Sequence, residues 1–396
     1  MVRYQGFRFR LKPTQADAAL LRRFAGCSRF VWNELLVQNE VRLYRRERRL
    51  GYAAMCSYLV YLKNEYPFLR DAHSQCLQQA LKDLDRAYQH AFNPPLKKQF
   101  PRLKKKNDRR GLRFPQGFKI NGSGVYLPKI GWIGYRKNRK IEGTCKSVLV
   151  SFDGSHWYVS FRTERHVSEP IHGATSAVGI DLGIIRFAAL SDGTFIEGAN
   201  AFKKYGSRIA MLARRMSRKQ KFSANWLKAR NKVARLSRKI ARVRNDMLHK
   251  ASTTISKNHA IVVLEDLRVS NMSASAVGTV ENPGTKVRSK AALNRRVRDQ
   301  GWGEFARQLQ YKLEWSGGSF IRINPANTSR TCSECGYISC ENRQTQSVFQ
   351  CGACGFEANA DTNAALNILQ RAGQARIACG EPPLGGSEKQ AAQLVA

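Results

Sequence analysis

The amino-acid sequence predicts a multidomain α+β protein. In the first half of the chain, a block with helical periodicity precedes a block of short apolar runs separated by turn glycines. In the second half, continuous apolar runs typical of buried strands alternate with long helical segments, and paired cysteines interrupt the last of them. A chain of 396 residues, 42% of them hydrophobic, is long enough for two or three domains with separate cores.

The net charge indicates a polyanionic partner. The chain has 68 Lys and Arg against 29 Asp and Glu, a formal net charge of +39. An excess of this size repels itself unless a polyanion neutralises it, which favours a nucleic acid over the alternative of a merely soluble basic surface. No apolar run approaches the ~18 residues of a spanning helix, and residues 1–10 lack the apolar core of a signal peptide. We therefore expect a cytosolic protein without membrane association.

The first hundred residues predict one strand followed by helices. Residues 2–9 alternate between apolar and polar or basic side chains, which indicates a basic strand. Apolar residues recur at helical spacing after Thr14, a candidate helix cap, and further helices are predicted for residues 53–65 and 74–92. Aromatic residues among the arginines here suit a nucleic-acid surface, with core positions as the alternative. These aromatic residues are Trp32, Tyr44, Tyr52, Tyr58 and Tyr61.

A strongly basic tract leads from the helical block to a region rich in strands. Residues 97–113 carry nine Lys or Arg against Asp108 alone, which is typical of a segment that follows a phosphate backbone; a solvated charged loop is the alternative. Short apolar runs and turn glycines in residues 112–162 predict a small β-barrel that the first strand completes. Residues 166–176 are predicted to be a linker.

The second half begins with a strand that carries an acidic residue. Gly179, Asp181 and Gly183 share one face of this strand, so a carboxylate stands between two residues without side chains. The strand is expected to run from residue 177 to Leu190 and then to form a hairpin that reaches Phe195.

A second basic tract and a buried strand follow. Residues 203–250 hold seventeen Lys or Arg against Asp246 and carry apolar residues at helical spacing. This pattern predicts two long helices that pair through a narrow apolar seam; a solvent-exposed coiled hairpin is the alternative, but it would normally mix both signs of charge. The apolar run of residues 260–264 predicts a strand covered on both faces, with Glu265 at its carboxyl end.

The remaining elements surround the cysteines. Residues 270–298 are expected to be mobile. A helix is predicted for residues 302–315 and a strand for residues 319–323, and a further helix begins at Asp361. The chain from Gly373 onward is expected to be a loose tail.

Two C-x-x-C pairs separated by fifteen residues predict a structural zinc site. Four thiolates close the coordination shell of zinc and leave no position for a reactive water. Their ligands would be Cys332, Cys335, Cys351 and Cys354. The other six cysteines are scattered, which indicates a reducing compartment and favours zinc over the alternative of disulfides. These six are Cys27, Cys56, Cys76, Cys145, Cys340 and Cys379.

Three carboxylates are candidates for catalysis. Asp181 within a strand, Glu265 at a strand end and Asp361 at a helix start all lie where the edge of a sheet could collect them. Converging carboxylates would hold two Mg²⁺ ions, one of which prepares a water while the other stabilises the leaving oxygen of a phosphodiester. Each has a structural alternative: a polar residue near a turn for Asp181, a surface pair with a lysine for Glu265, and a helix N-cap for Asp361.

Four motifs in one order resemble the TnpB family, the RNA-guided nucleases of bacterial and archaeal insertion sequences related to type V CRISPR effectors. The motifs are Gly179-Ile180-Asp181-Leu182-Gly183, Leu264-Glu265-Asp266-Leu267 with Asn271-Met272, Thr328-Ser329-x-Thr331-Cys332-x-x-Cys335-Gly336, and Asp361-x-Asn363-Ala364-Ala365-x-Asn367-Ile368. They look like the three RuvC motifs and the zinc knuckle of that family, and the resemblance covers nearly the whole chain.

The resemblance implies a domain organisation. It implies an N-terminal wedge β-barrel in residues 1–10 and 101–172, with a helical recognition insertion in residues 11–100. It further implies an RNase H-like (RuvC) α/β nuclease domain in residues 176–325 and 357–372, with an inserted zinc ribbon in residues 326–356 that binds target nucleic acid. Residues 373–396 would form a flexible tail.

The resemblance also implies the roles of individual residues. The family's catalytic acids fall on Asp181, Glu265 and Asp361, which would bind two Mg²⁺, and its zinc ligands fall on the four cysteines named above. One departure is Asn359, where many relatives carry an acidic residue or a histidine; it lies outside the three acids. Candidate nucleic-acid contacts are Lys104, Lys105, Lys106, Arg109 and Arg110, with Tyr52 and Gln78 as candidates for a motif beside the target.

The implied activity is RNA-guided, Mg²⁺-dependent cleavage of double-stranded DNA next to a short flanking motif, in support of transposon maintenance. The guide RNA would derive from the transposon end, and the protein would act as a monomer with that RNA in the cytoplasm, near the nucleoid. In such systems base pairing reads the sequence while the protein reads the short motif and the heteroduplex backbone. Two other activities stay open: a non-cleaving RNA-guided DNA-binding repressor and a transposase that joins DNA strands itself.

Overall fold

The chain forms two compact units. The computed structural model describes residues 1–96, 98–105 and 110–378. The first unit covers Met1–Ser168 and the second begins at Glu169. This boundary falls within the linker predicted for residues 166–176.

The first unit is built on an antiparallel sheet of seven strands. The strands are β1 (Val2–Lys12), β2 (Arg110–Phe114), β3 (Lys119–Asn121), β4 (Gly124–Leu127), β5 (Gly131–Arg136), β6 (Thr144–Phe152) and β7 (Trp157–His166). Their order is β2-β6-β7-β1-β5-β4-β3, so the predicted first strand is the middle one. Phe7, Phe9 and Leu11 alternate along β1 and are buried, as a strand with one face on the core requires. Because β2 and β3 stand at the two ends of the described order, closure into a barrel stays a prediction.

Three α-helices follow β1 in the described part of this unit. They are α1 (Gln15–Tyr44), α2 (Tyr52–Glu65) and α3 (Ser74–Ala91). Thr14 is confirmed as the cap of α1: its hydroxyl accepts the N–H of Asp17, whose carboxylate accepts the N–H of Thr14 in return. The helices share one core with the sheet, which includes Phe24 and Leu84. Most of the predicted bounds here are confirmed to within two residues.

The second unit is built on a mixed sheet of five strands in the order β10-β9-β8-β11-β12. Its strands are β8 (Ala177–Leu182), β9 (Ala188–Leu190), β10 (Phe195–Ile196), β11 (Ile261–Glu265) and β12 (Ser319–Ile323), and a separate small pair is β13 (Val348–Gln350) with β14 (Glu357–Asn359). Its helices are α4 (Ala201–Ser217), α5 (Ala224–Asn258), α6 (Val269–Met272), α7 (Val287–Gln300), α8 (Trp302–Ser316) and α9 (Ala360–Ala378). Strands β8, β11 and β12 run parallel to one another. β9 pairs antiparallel with β8, and β10 pairs antiparallel with β9.

The two faces of this sheet are covered by different helices. Val178 and Ile180 pack with residues of α5 and α8, whereas Val263 packs with Ile368 and Ala372 of α9. Gly179 allows α9 to lie directly on β8, because a Cβ at that position would stand 2.2 Å from the carbonyl oxygen of Ala365. The packing therefore brings the first turn of α9 to the face of β8 that Gly179 shares with Asp181.

The prediction of one strand over residues 177–190 is wrong. β8 ends at residue 182, the chain turns through residues 183–187, and β9 returns antiparallel to β8. Gly183 permits this turn, since a Cβ there would lie 2.6 Å from the carbonyl oxygen of Arg186. The hairpin that reaches Phe195 is confirmed.

The prediction that residues 270–298 are mobile is wrong for their second part, where α7 forms. Asn294, Val297 and Gln300 recur every third residue along α7 and are buried. The buried side of this helix therefore contains both polar and apolar residues. A search for apolar periodicity misses it because its inner face is partly polar. The loose tail predicted from Gly373 is helical to residue 378, and residues 379–396, with Cys379, lie outside the described part of the chain.

Candidate active site

Two of the three candidate carboxylates stand side by side on the central strands. Ile180 of β8 is in register with Leu264 of β11, and the strands are parallel. Asp181 and Glu265 are the next residues along each strand, so their side chains leave the sheet on the same face. Neighbouring strands are about 4.8 Å apart, which brings the two carboxylates into one site.

The third carboxylate, Asp361, lies in the first turn of α9, which packs on that same face. It is not the helix cap. The side-chain oxygen of Asn359 accepts the N–H groups of Asp361 and Thr362 at 3.1 and 3.3 Å and so performs that role. The Asp361 carboxylate instead accepts a hydrogen bond from the guanidinium of Arg343 at 3.0 Å. The N-cap alternative for this residue is therefore wrong.

The three acids share an electrostatic environment. Burial, together with the charges of Glu265 and Asp361, raises the pKa of Asp181 to about 7, and the charge of Arg343 opposes this shift. Burial also raises the pKa of Glu265, against a hydrogen bond from Thr328 and the charge of Arg371. Within the described residues neither Asp181 nor Glu265 forms a salt bridge with a lysine, so the surface-pair alternative for Glu265 does not hold. A site with this much acidic charge and burial favours cations.

The three carboxylates are more widely spaced than the ligands of one ion. In the described part of the chain, the four cysteines are the single group of three or more His, Cys, Asp or Glu side chains whose ligand atoms all lie within 4.8 Å of one another. Opposite oxygens around one Mg²⁺ would be about 4.2 Å apart, from a bond length of about 2.1 Å. As they stand without metal, the three carboxylates therefore do not form one tight ligand set.

Without metal, Asp181 is expected to make the protein less stable as the pH rises. Its pKa is about 7 in the folded chain and about 4 in an unfolded one, so between these values the folded state holds a proton that the unfolded state has released. The contribution of Asp181 to the free energy of unfolding is fully present below pH ~4 and is lost as the pH approaches ~7. The change is about 4 kcal/mol for three pH units. Thermal unfolding without added divalent cations, at constant zinc content, should show this decline, and Asp181→Asn should remove it. Equal pH dependence in both proteins would contradict the assignment.

The four cysteines form two matching zinc knuckles. In each, the N–H of a glycine donates to the carbonyl of the first cysteine: Gly336 to Cys332 and Gly355 to Cys351, both at 3.0 Å. Both glycines have positive φ, 75° and 72°, which other residues adopt only with strain. Glycine at these two positions therefore lets the backbone turn beneath each cysteine pair.

The sulfur positions fit a tetrahedral zinc ion. The Sγ atoms of Cys332 and Cys354 are 3.7 Å apart, and those of Cys335 and Cys351 are 3.5 Å apart. A tetrahedron with Zn–S bonds of about 2.3 Å has sulfurs about 3.8 Å apart, whereas a disulfide has an S–S distance of about 2.0 Å. The geometry therefore suggests a zinc site, and the disulfide alternative does not match it.

A buried asparagine between the cysteine pairs joins the two knuckles. Asn342 is 1% exposed. Its amide group donates to the carbonyls of Arg330 and Tyr337 at 3.0 and 3.1 Å, and its oxygen accepts the N–H of Gly352 at 3.1 Å. Sequence reasoning missed this residue, since one asparagine in a polar loop carries no signal of its own.

Helix α9 connects the ribbon to the acid site. Asn363 accepts the N–H of Ser333 in the first knuckle at 3.0 Å, and Gln370 donates to the Ser333 carbonyl at 2.9 Å. Sequence reasoning assigned no role to these residues or to Arg343. The spacing of Asn363, Asn367 and Gln370, which places three amides on one face of a helix, is the signal that could have found the contact.

Family profiles and whole-length relatives match the chain. A profile described as a probable transposase matches residues 160–276, one described as a Cas12f1-like TNB domain matches residues 302–368, and one described as a helix-turn-helix domain matches residues 1–48. The protein named "Putative RNA-guided DNA endonuclease InsQ" of Escherichia coli K12 is 48% identical over 385 residues, which cover 96% of this chain and 95% of that protein. The chain belongs to the TnpB family. A Streptomyces pristinaespiralis protein named "Putative RNA-guided DNA endonuclease" is 33% identical over 386 residues, which cover 95% of this chain and 91% of that one.

TnpB membership confirms the resemblance seen in the motifs. A CRISPR-associated endodeoxyribonuclease Cas12f1 from Sulfoacidibacillus thermotolerans is 49% identical over 71 residues, 17% of each chain. The solved structure of a Cas12f1–sgRNA–target DNA complex matches with a TM-score of 0.56 and 17% identity, covering 90% of this chain and 83% of that one. This TnpB chain therefore has a Cas12-like multidomain α+β architecture. Residues 1–48, despite the name of their profile, form β1 and α1.

The basic candidate contacts of this TnpB chain, from Lys104 to Arg110, are only partly within the described residues. The segment before Lys106 is fixed to α1: Asn33 exchanges two hydrogen bonds with the backbone of Lys104, and the Lys104 ammonium lies 3.2 Å from the ring centre of Trp32. Residues 98–105 form neither helix nor strand and most of them are exposed, so the solvated loop stays open as the alternative. Lys105 is exposed. Lys106 and Arg109 lie outside the described residues, and of Arg110 only the backbone, in β2, is described.

Tyr52 and Gln78 occupy neighbouring helices of the first unit. Tyr52 begins α2, and the ammonium of Lys82 on α3 lies 6.0 Å from its ring centre. Gln78 is one turn before Lys82 on α3, and both Tyr52 and Gln78 are half-buried. In the second unit, the predicted pairing of two basic helices is confirmed by the packing of α4 on α5. None of the helices in the described part of the chain has the length and apolar character that a membrane crossing requires.

Proposed function

We propose that this protein is an RNA-guided, Mg²⁺-dependent DNA endonuclease of an insertion sequence. The observation that carries the proposal is the meeting of Asp181 and Glu265 on adjacent parallel strands, with Asp361 on the helix packed against them, in a chain of charge +39. The names of its whole-length relatives support the same activity.

The three acids would bind the metal ions and hold them against the scissile phosphate. Two Mg²⁺ ions bound there supply an activated water and stabilise the charge that develops on the leaving oxygen. Asp181 stands next to Glu265 on the neighbouring strand and would hold the ions together with it. Because its pKa is about 7 without metal, Asp181 would release a proton on binding cations near neutral pH. Arg343 orients the Asp361 carboxylate through their ion pair.

We propose the domain organisation that the resemblance to the TnpB family implies. The five-stranded sheet with its helices would be the RNase H-like, RuvC-type nuclease domain of residues 176–325 and 357–372, and residues 326–356 a zinc ribbon that binds target nucleic acid. The seven-stranded sheet would be the wedge domain of residues 1–10 and 101–172, and α1–α3 the recognition insertion of residues 11–100. The zinc ion would be structural, because four thiolates leave no open position on it.

Nucleic acids would contact the basic surfaces. Residues 203–250, which include most of α4 and α5, carry seventeen Lys or Arg against one Asp, and a surface of one sign suits a phosphate backbone. We propose a guide RNA derived from the transposon end, double-stranded target DNA, and a monomeric protein–RNA complex. Lys104 and Lys105 would contact nucleic acid, and Tyr52 and Gln78 would read the flanking motif.

A non-cleaving repressor of the same architecture is less well supported. Such a protein would be free to lose its acids, and this chain retains all three in one site. A transposase that joins strands would use similar acids, but the resemblance assigns strand transfer to a separate protein.

The proposed function predicts cleavage that depends on RNA and on a flanking motif. The protein would be purified with its bound RNA, the RNA sequenced, and the complex challenged with a plasmid library randomised beside a matching target. Plasmids with one short motif should disappear from the library in Mg²⁺. If no sequence is depleted while the complex still binds the target, the protein is a non-cleaving repressor. Joined strands without free ends would indicate a transposase.

A further inference from the structure

The segment of residues 324–333 contacts both the strand that carries Glu265 and the helix that carries Asp361. It leads from β12 to the first zinc knuckle and packs against both the end of β11 and helix α9. We call it the connecting segment. A segment that touches both elements could set the distance between the two acids.

At one end of this contact, Thr328 holds the Glu265 carboxylate. Thr328 is 4% exposed. Its hydroxyl donates to Oε1 of Glu265 and also lies 3.1 Å from the carbonyl oxygen of Pro325. A hydroxyl has one proton to donate, and the charged acceptor forms the stronger bond. The contact therefore fixes which way the carboxylate of Glu265 faces.

At the other end, asparagines of α9 hold the backbone of the connecting segment. Asn367 is 2% exposed and its amide donates to the carbonyls of Thr328 and Thr331 at 2.9 and 2.6 Å. Asn363 is fully buried and donates to the Thr331 carbonyl at 2.8 Å. Both lie on the helix whose first turn carries Asp361. Hydrogen bonds of the buried side chains Thr328, Asn363 and Asn367 thus link Glu265 to the helix that carries Asp361.

We propose that Thr328 is a positioning residue for the Glu265 carboxylate, and that Asn367 fixes Thr328 on the helix that carries Asp361. The inference rests on the proposed function, because it concerns how the three carboxylates bind divalent cations. Partners that orient a metal ligand typically change metal affinity or activity by 10- to 100-fold when they are lost. Thr328 meets the description: it is buried, and its hydroxyl donates to one oxygen of a proposed metal ligand.

The test compares three variants of the full chain with its co-purified RNA. Thr328→Val keeps the shape and removes the hydroxyl, Thr328→Ser keeps the hydroxyl, and Thr331→Val is the matched control, since the Thr331 hydroxyl donates to Asn327 in the same segment. The first readout is the Mn²⁺ concentration that gives half of the full rise in Tm; the rise measured in Asp181→Ala corrects it for Mn²⁺ that binds elsewhere. The second readout is the Mg²⁺ concentration that gives half of the maximal rate of DNA cleavage. Zinc content checks that the ribbon is intact.

We expect Thr328→Val to raise both metal concentrations by about 10- to 100-fold, with zinc content unchanged. Thr328→Ser should return both to within about 3-fold of wild type, and Thr331→Val should leave both unaltered. Unchanged metal dependence in Thr328→Val, or equal loss in Thr328→Val and Thr328→Ser, would overturn the inference.

The Mn²⁺ measurement separates this inference from the proposed function. If wild-type protein cuts no DNA with its RNA but Thr328→Val still weakens Mn²⁺ binding, the positioning role holds and the proposed function fails. If Asp181→Ala leaves the Mn²⁺-induced rise in Tm intact, the cations bind elsewhere and the inference falls.

Discussion

Asp181→Ala is expected to lower the rate of RNA-guided DNA cleavage by at least about 10³-fold while RNA-dependent binding of the target persists. Stabilisation by metal is worth several kcal/mol in the transition state, and each 1.36 kcal/mol is about a factor of ten in rate. Asp181 would hold the ions together with Glu265, which stands next to it on the neighbouring strand. Cleavage is measured on a plasmid with a matching target and binding by mobility shift in Ca²⁺.

Asp266→Ala is the matched control for this prediction. Asp266 follows Glu265 at the same edge of the sheet, but its side chain is 54% exposed and pairs with Arg322 at 3.0 Å. An exposed ion pair contributes about 0–1 kcal/mol to stability, so cleavage by this variant should stay close to that of wild type. If Asp181→Ala still cuts DNA at a similar rate, the assignment of the site is wrong.

Cys351→Ser is expected to remove the zinc ion and to reduce both the soluble yield and the Tm. Cys351 is buried and its sulfur is 3.5 Å from that of Cys335, so a serine cannot replace it as a ligand without loss of affinity. A structural zinc site contributes its binding free energy to folding, about 10–16 kcal/mol in small zinc-binding peptides. Zinc per chain is measured by mass spectrometry of the metal and Tm by calorimetry.

Cys340→Ser provides the control within the same ribbon. Cys340 is exposed and lies outside the four-sulfur cluster. Its replacement should leave zinc content and Tm unchanged. Equal zinc content in Cys351→Ser and wild type would rule out a site made of four thiolates.

The acids were predictable because each follows a local rule. Asp181 stands between glycines on an apolar strand, and Glu265 ends a continuous apolar run, so parallel pairing alone places them together. The zinc cysteines were predictable for the same reason, since the C-x-x-C spacing and the following glycine define each knuckle.

The residues that connect these sites were not predictable in the same way. Thr328 contacts the side chain of Glu265, and Asn342 and Asn367 contact backbone groups of other segments. A pattern of residue types does not show where these partners lie. Helix α7 was missed because its buried face includes Asn294 and Gln300, which do not contribute to an apolar period. The turn at residues 183–187 was missed because the apolar run continues across it.

The most direct test of the account is to locate divalent cations in the RNA-bound and DNA-bound protein. A crystal structure with Mn²⁺ and an uncleavable DNA substrate, recorded near the manganese absorption edge, shows where the metal lies. The account predicts two anomalous peaks about 3.5–4 Å apart, with Asp181 in contact with both and Glu265 and Asp361 each in contact with one. Manganese at other residues, or no manganese at these carboxylates, would contradict it.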